Sequence, residues 1–185
     1  MARNNGNANR RKYVPAIEIE NARLLGRPNF SGLERVRNGR VVNSEGNRNF
    51  CVVIPDEGVS VLGDPDTWLS AEELKDMGWK LRIAAGSEEE DPCYFLPVKV
   101  NFSNRPPIIW SITGKKRVQV TEGTVDLLDG RNFSRINLVI NPSVKQDWDT
   151  GEIKVAAYLQ KGYFYVVMDR FEAEWQEEHP EDDYE

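Results

Sequence analysis

From Tyr94 to Phe102 every second residue is large and apolar: Tyr94, Leu96, Val98, Val100 and Phe102. That period of two fits a strand with one buried face. A helix would repeat its apolar positions every three to four residues. Ala16–Leu24 alternates in the same way, and Asn49–Ile54 carries the apolar run Phe50-Cys51-Val52-Val53-Ile54. Trp79, Leu81 and Ile83 share one face of a further run, with Lys80 and Arg82 on the other. Ile108–Thr113 and Arg117–Val120 flank Gly114-Lys115-Lys116, a hairpin signal. Ile136–Asn141, Ile153–Leu159 and Tyr163–Met168 add three more strands. Gln160-Lys161-Gly162 is expected to turn between the last two, and Asp149-Thr150-Gly151 marks a turn in the longer loop before them.

Helix signals are scarce. Ser70 and Glu73 form an S-x-x-E capping box, Leu69 and Leu74 occupy the staple positions, and Gly78 is placed to end the helix about two turns later. Thr124–Leu128 could add one helical turn. About eight short strands against one short helix mean a sandwich or a small barrel, and no strand–helix–strand alternation suggests a parallel sheet. Pro97 argues for an edge or bulged position in its strand. Residues 26–47, rich in Gly, Arg and Asn, form a long loop or hairpin.

The 185 residues suit one domain with tails. Residues 1–12 are polar and basic and are expected to be disordered, residues 13–170 to form the domain, and residues 171–185 to be an acidic tail with no fold of its own. The N-terminus has no apolar core of a secretory signal, and no apolar run approaches the roughly 20 residues that span a bilayer. A cytoplasmic protein is expected. Cys51 and Cys93 make neither a disulfide framework nor a CxxC pair, and Cys51 is expected as a buried strand residue.

Charge is unevenly distributed. Residues 1–50 hold 10 Lys and Arg against 4 Asp and Glu, residues 51–170 hold 14 against 18, and residues 171–185 hold none against 8. A basic front and an acidic end suggest a body that binds a polyanion and an appendage that imitates one.

Enzyme chemistry finds little support. His179, the single histidine, sits in the acidic tail, so no His-based triad or metal site can form in the domain. Neither phosphate-loop nor dinucleotide fingerprints are present. Asp64/Asp66 and Asp126/Asp129 are carboxylate pairs that an ordinary loop and a helix surface explain equally well. Neither a cofactor nor a metal is expected.

Single-strand binders need cations along the backbone and aromatic faces for the bases. Arg23, Arg27, Arg35, Arg37, Arg40 and Arg48 supply cations around the flexible loop, Lys80 and Arg82 a polar strand face, and Lys115, Lys116 and Arg117 a basic hairpin tip. Phe50, Tyr94, Phe102 and Phe164 lie in core registers. Phe30 in the Arg-rich loop, Trp110 before the basic hairpin, and Tyr158, Tyr163 and Tyr165 on outer strand faces are each either stacking platforms or laterally packed strand aromatics. Trp148 lies between Asp147 and Asp149, which argues against contact with phosphates.

Asn29-Phe30-Ser31-Gly32, then Gly46-Asn47-Arg48-Asn49-Phe50, a β-run, a short helix and Gly78-Trp79-Lys80 resemble phage-encoded single-stranded-DNA-binding proteins. The resemblance covers residues 16–170 in layout and the tail in composition. It implies an OB-fold barrel that binds and protects single-stranded DNA in phage replication and recombination, working in the host cytoplasm, with Arg48 and Asn49 near the nucleic acid. It also implies a tail whose Trp175, Asp182, Asp183, Tyr184 and Glu185 contact replication proteins, while the tail's acidic composition suits it to compete with DNA for a basic groove. The rival expectations are a phage structural or assembly β-sandwich without nucleic-acid affinity, and an acidic DNA mimic.

Overall fold

The computed structural model describes residues 13–178. The expected extension 1–12 and the tail residues His179, Asp182, Asp183, Tyr184 and Glu185 lie outside the described residues. The strands, in chain order, are β1 (Ile17–Ile19), β2 (Leu24–Asn29), β3 (Arg35–Arg37), β4 (Arg40–Asn43), β5 (Asn49–Val53), β6 (Val59–Val61) and β7 (Asp64–Leu69). Helix α1 (Ala71–Asp76) precedes β8 (Arg82–Ala84), β9 (Cys93–Lys99), β10 (Ile108–Thr113) and β11 (Lys116–Val120). A 3-10 turn at Val125–Leu128 leads to β12 (Phe133–Gln146), β13 (Ile153–Val166) and helix α2 (Arg170–Glu178).

Eleven of these strands make one sheet, in the order β2-β5-β9-β13-β12-β1-β6-β7, with β8 on β9 and the β10–β11 hairpin on β13. The inner faces of these strands converge on a single apolar cluster, so the sheet is coiled around one core. That is the mainly β, OB-like barrel architecture expected from the alternation, with two short helices. At the centre of the core, the rings of Phe30 and Phe50 lie 5.6 Å apart, and Phe164 meets Phe30 edge-on at 5.5 Å.

The first alternating run is two strands, because Asn21 (φ 50°) turns the chain between β1 and β2. The 26–47 segment is a hairpin: Asn38 and Gly39 both have positive φ, as a two-residue type I′ turn requires, and β3 and β4 form their own ribbon. Asp64 and Asp66 lie in β7 rather than in a loop, and no metal-holding cluster occurs among the described residues. The Ser70 cap is reciprocal, and Trp79 N–H to Leu74 C=O with Gly78 N–H to Lys75 C=O closes a Schellman motif.

Two expectations fail at places where a strand changes partner. Trp79 and Ile83 do not share a face: Trp79 is 3 % exposed and Ile83 62 %. Leu81 N–H bonds Trp79 C=O, a tight turn that separates the Trp79 bridge to Val155 from β8. Pro97, by contrast, has the local edge position expected of it: β5 pairs with it on one side, and on the other β8 pairs at Cys93–Phe95 and β13 at Val98 and Lys99, so Pro97 falls in the gap between them. Gln160-Lys161-Gly162 is not a turn. β13 runs unbroken, with a register shift at Gln160, and there it passes from β9 to β10. Such bulges bend strands. Gly162 suits the bend because a Cβ there would stand 2.6 Å from the Phe164 ring.

The acidic end also departs from expectation. Residues 170–178 form a helix, capped by Glu172 N–H to Asp169 Oδ1 and Asp169 N–H to Glu172 Oε2, with Arg170 paired to Glu174 at 2.8 Å. The cap satisfies amides that the acidic composition alone would leave to water.

Candidate nucleic-acid interface

β13 alternates cleanly. Val155, Ala157, Leu159, Gly162, Phe164 and Val166 are buried. The bulge at Gln160 shifts the phase by one residue, so Tyr158, Lys161, Tyr163 and Tyr165 follow one another on the outer face. Neighbouring strands extend this face. Trp110 of β10 lies beside Tyr163, and Ile112 beside Tyr165. Arg117 of β11 lies opposite Ile112. On β12 Arg135 lies opposite Tyr165. On the other side Lys99 of β9 lies beside Tyr158, and Asn49 of β5 opposite Lys99.

Each of these aromatics carries a cation. The Arg117 guanidinium lies 3.9 Å from the Trp110 ring centroid and 5.9 Å from that of Tyr163. Arg135 lies 4.5 Å over Tyr165 and donates to its hydroxyl at 3.3 Å. Lys99 Nζ lies 5.8 Å from the Tyr158 ring. The ion pairs among the described residues use Arg23, Arg48 and Arg170, so Lys99, Lys161, Arg117 and Arg135 keep their charge unneutralised by a carboxylate there. Each stacked cation gains about 0.5–1 kcal/mol at an exposed site. It holds the cation beside an aromatic face, the pairing a single strand needs. Between the two halves of the row opens a cleft of about 780 Å³, lined by Arg105, Ile108, Asn141, Tyr158, Gln160 and Lys161 among others.

Of the residues singled out in the sequence, the fold brings Asn49, Trp110, Arg117 and Tyr158 to this face. Lys115 is exposed at the tip of the β10–β11 hairpin. Lys116 turns to the hairpin's opposite side, where it lines a groove with Val118, Leu127, Phe171 and Trp175. Trp175 is therefore set against the domain, 51 % exposed. Lys80 and Arg82 are exposed beyond β9.

Phe30 leaves the set as a correction. It is fully buried among Phe50 and Phe164 and offers no face to a base. Arg48 lies on the inward side of its strand, with Phe50 and Val52. Its guanidinium is 5.6 Å over Phe102 and 3.4 Å from Glu122 Oε1. Cys51 is a further correction: it is half-buried on the outer face, where burial pushes its thiol pKa up and Arg82 pulls it partly back. The sequence reading did not pick out Lys99, Arg135 and Lys161 for the site; Lys99 occupies a polar position between Val98 and Val100, a signal available on β9.

Arg35, Arg37 and Arg40 lie on the β3–β4 ribbon, which pairs with no strand of the main sheet, and Arg35 donates to the carbonyls of Arg27 and Pro28. The ribbon's base is tightly held. Asn43 Nδ2 donates to the carbonyls of Leu33, Ser44 and Asn47, and its Oδ1 accepts from Asn47 and Asn49. Asp129 accepts the Phe30 and Ser31 amides at 2.8 and 2.9 Å.

The family model described as "Putative phage ssDNA-binding domain" matches residues 7–184. Solved structures of a single-stranded DNA-binding protein from bacteriophage Enc34 are similar over most of their length. The protein alone is 10 % identical with a TM-score of 0.41, over 85 % of this chain and 84 % of that one. Its complex with ssDNA is 10 % identical with a TM-score of 0.42, over 85 % and 89 %. A C-terminal truncation is 11 % identical with a TM-score of 0.42, over 84 % and 87 %. No curated protein matches at a significant level.

Proposed function

This chain belongs to the phage ssDNA-binding domain family, and from that premise we propose that it binds single-stranded DNA along the outer face of β13, in a sequence-tolerant manner and without any covalent step. The observation that carries the placement is the row Trp110, Tyr163, Tyr165 and Tyr158, each ring overlaid by a cation that no described carboxylate neutralises. Bases stack on the rings while Lys99, Lys161, Arg117 and Arg135 meet phosphates. Stacking has no sequence preference of its own, since every base has a π-face. The cleft beside Lys161 and Arg105 gives the strand room to pass between the two halves of the row. Family membership removes the ground for the rival assembly-protein reading. The biological setting proposed is protection of single strands during phage replication and recombination in the host cytoplasm.

Lys80, Arg82 and Lys115 are proposed as outlying contacts for a longer strand. The acidic end is proposed as a second surface. Its eight carboxylates, with Trp175 and Tyr184 as apolar anchors, suit a basic face on a replication partner. Tethering raises its local concentration near the DNA track into the millimolar range, so it also competes weakly with DNA.

The test is a titration of tryptophan fluorescence with a dT oligonucleotide, with duplex DNA as the control. Tyr158→Ala and Tyr163→Ala are each expected to weaken binding by about 1–3 kcal/mol, the range for loss of one stacking platform. Both residues lie on the outer face, so the fold should persist. If both variants bind dT as the parent does, this face is not the site.

A further inference from the structure

We propose that the β3–β4 ribbon of one copy docks into an acidic groove on the next copy, so that molecules line up head to tail along a strand. The coverage of DNA rests on the reading above; the contact between copies does not.

The ribbon is unusual for an exposed element. It pairs with no other strand, and Val36, Val41 and Val42 are 57, 55 and 61 % exposed. Val36 lies opposite Val41 and Arg37 opposite Arg40, which gives the ribbon an apolar face and a basic face. It carries no aromatic ring, so it lacks the stacking half of a single-strand site. A ribbon with valines on one face and arginines on the other suits a groove whose apolar floor meets the valines and whose acidic rim reaches up to the arginines.

The chain itself has such a surface. A groove of about 710 Å³ is bordered by the carboxylates of Glu18, Glu20, Asp56, Glu57, Glu90 and Asp91. Arg23 is the one cation there, and it is paired with Glu90 at 3.7 Å. The apolar part comes from prolines and from Trp68, which is 52 % exposed.

The two surfaces sit at opposite ends of the β2–β5 pair. The ribbon leaves at Asn29 and returns at Asn49, whereas the groove is lined by Arg23 and Val53 at the other end. Five residues of β5 separate them by about 13 Å of strand. Two different patches at opposite ends make a heterologous contact, which repeats head to tail and runs on as an open chain wherever the rotation between copies does not close it. Exposed ion pairs are worth about 0.2–1 kcal/mol each, so the contact is weak between free molecules. Two copies bound side by side on one strand are tethered, and their effective concentration makes a weak contact count.

The test compares the full chain with two charge-reversed forms: Arg37→Glu with Arg40→Glu, and Glu20→Lys with Glu57→Lys. Each is titrated on a short dT oligonucleotide that holds one copy and on a long one that holds several. Every form is expected to bind the short oligonucleotide as the parent does. On the long one each reversed form should lose about tenfold of the parent's gain in affinity, the scale of 1.4 kcal/mol. An equimolar mixture of the two forms should regain it, because acidic ribbons then meet basic grooves and basic ribbons acidic ones. The proposal is overturned if the mixture fails to recover, if either form keeps the full gain, or if the ribbon form alone weakens on the short oligonucleotide. If the parent binds no dT at all, the DNA reading fails, and sedimentation at low salt decides the contact. Association confined to parent and mixture supports it; equal behaviour of all samples overturns it.

Discussion

The steepest prediction of the proposed site concerns salt. Four cations, Lys99, Arg117, Arg135 and Lys161, lie on the aromatic face without a carboxylate partner among the described residues. If each meets one phosphate, log affinity should fall against log salt with a slope of about −2.8, since each contact on a single strand contributes about −0.7. Raising NaCl from about 50 to about 200 mM then weakens binding about fifty-fold, or about 2.3 kcal/mol. Arg117→Gln with Arg135→Gln removes two of the four contacts. Both side chains are exposed, so the fold should tolerate the change. The slope should drop to about −1.4 and the loss over the same salt range to about sevenfold. The assay is tryptophan quenching by a short dT oligonucleotide at five or more salt concentrations. A parent slope near zero would refute phosphate contact altogether. A slope unchanged in the double variant would refute the assignment of these two arginines.

Two stability predictions test the corrections made by the fold. Phe30→Ala should cost about 3–5 kcal/mol in chemical denaturation, because a fully buried ring at the centre of an aromatic cluster is lost. The remaining folded fraction should bind dT normally; weakened binding with intact stability would return Phe30 to the interface. Gly162→Ala should cost about 1–3 kcal/mol through the clash with the Phe164 ring, and an unchanged melting temperature would argue that β13 is not continuous there.

What the sequence made legible was local. The alternation of Tyr94–Phe102 and the capping box at Ser70 depend on neighbours a few residues away, and both appear as expected, with Leu96 and Val98 fully buried. Failures came where distant strands decide. Gln160-Lys161-Gly162 has the composition of a turn, yet β12 on one side and β9 and β10 on the other hold it in a strand. The Asp169-x-x-Glu172 box was present in the sequence but was outweighed by the acidic composition around it. Phe30 looked exposed because its segment is rich in Arg and Gly. Only the meeting of β2 and β5 with β13 shows that its ring fills the core. The outer face of β13 was legible in part: Asn49, Trp110, Arg117 and Tyr158 stand out in the sequence as candidates, and strand register places Lys99, Arg135 and Lys161 beside them.

The segments that carry the family resemblance and the residues proposed to touch DNA are largely different, and the geometry gives a reason. Asn29-Phe30-Ser31-Gly32 and Gly46-Asn47-Arg48-Asn49-Phe50 lie against each other. Phe30 packs on Phe50, and Gly32, at φ +71°, leaves 3.1 Å between a built Cβ and Gly46 C and 3.2 Å to Arg48 Cγ. Gly46 N–H bonds Gly32 C=O at 2.7 Å. A joint of this kind accepts few residue types: a side chain at Gly32 would need both a strained backbone and room that is absent. A stacking platform is less demanding. Any aromatic on the outer face with a cation beside it serves, so Trp110 with Arg117 and Tyr165 with Arg135 are interchangeable in kind. A joint built from fixed residues therefore leaves a readable motif in sequence, whereas a binding face built from tolerant pairs leaves only a diffuse excess of aromatics and cations. By that argument Gly32→Ala should loosen the ribbon and lower stability while leaving short-oligonucleotide affinity near that of the parent. The reverse outcome would place the joint itself on the DNA path.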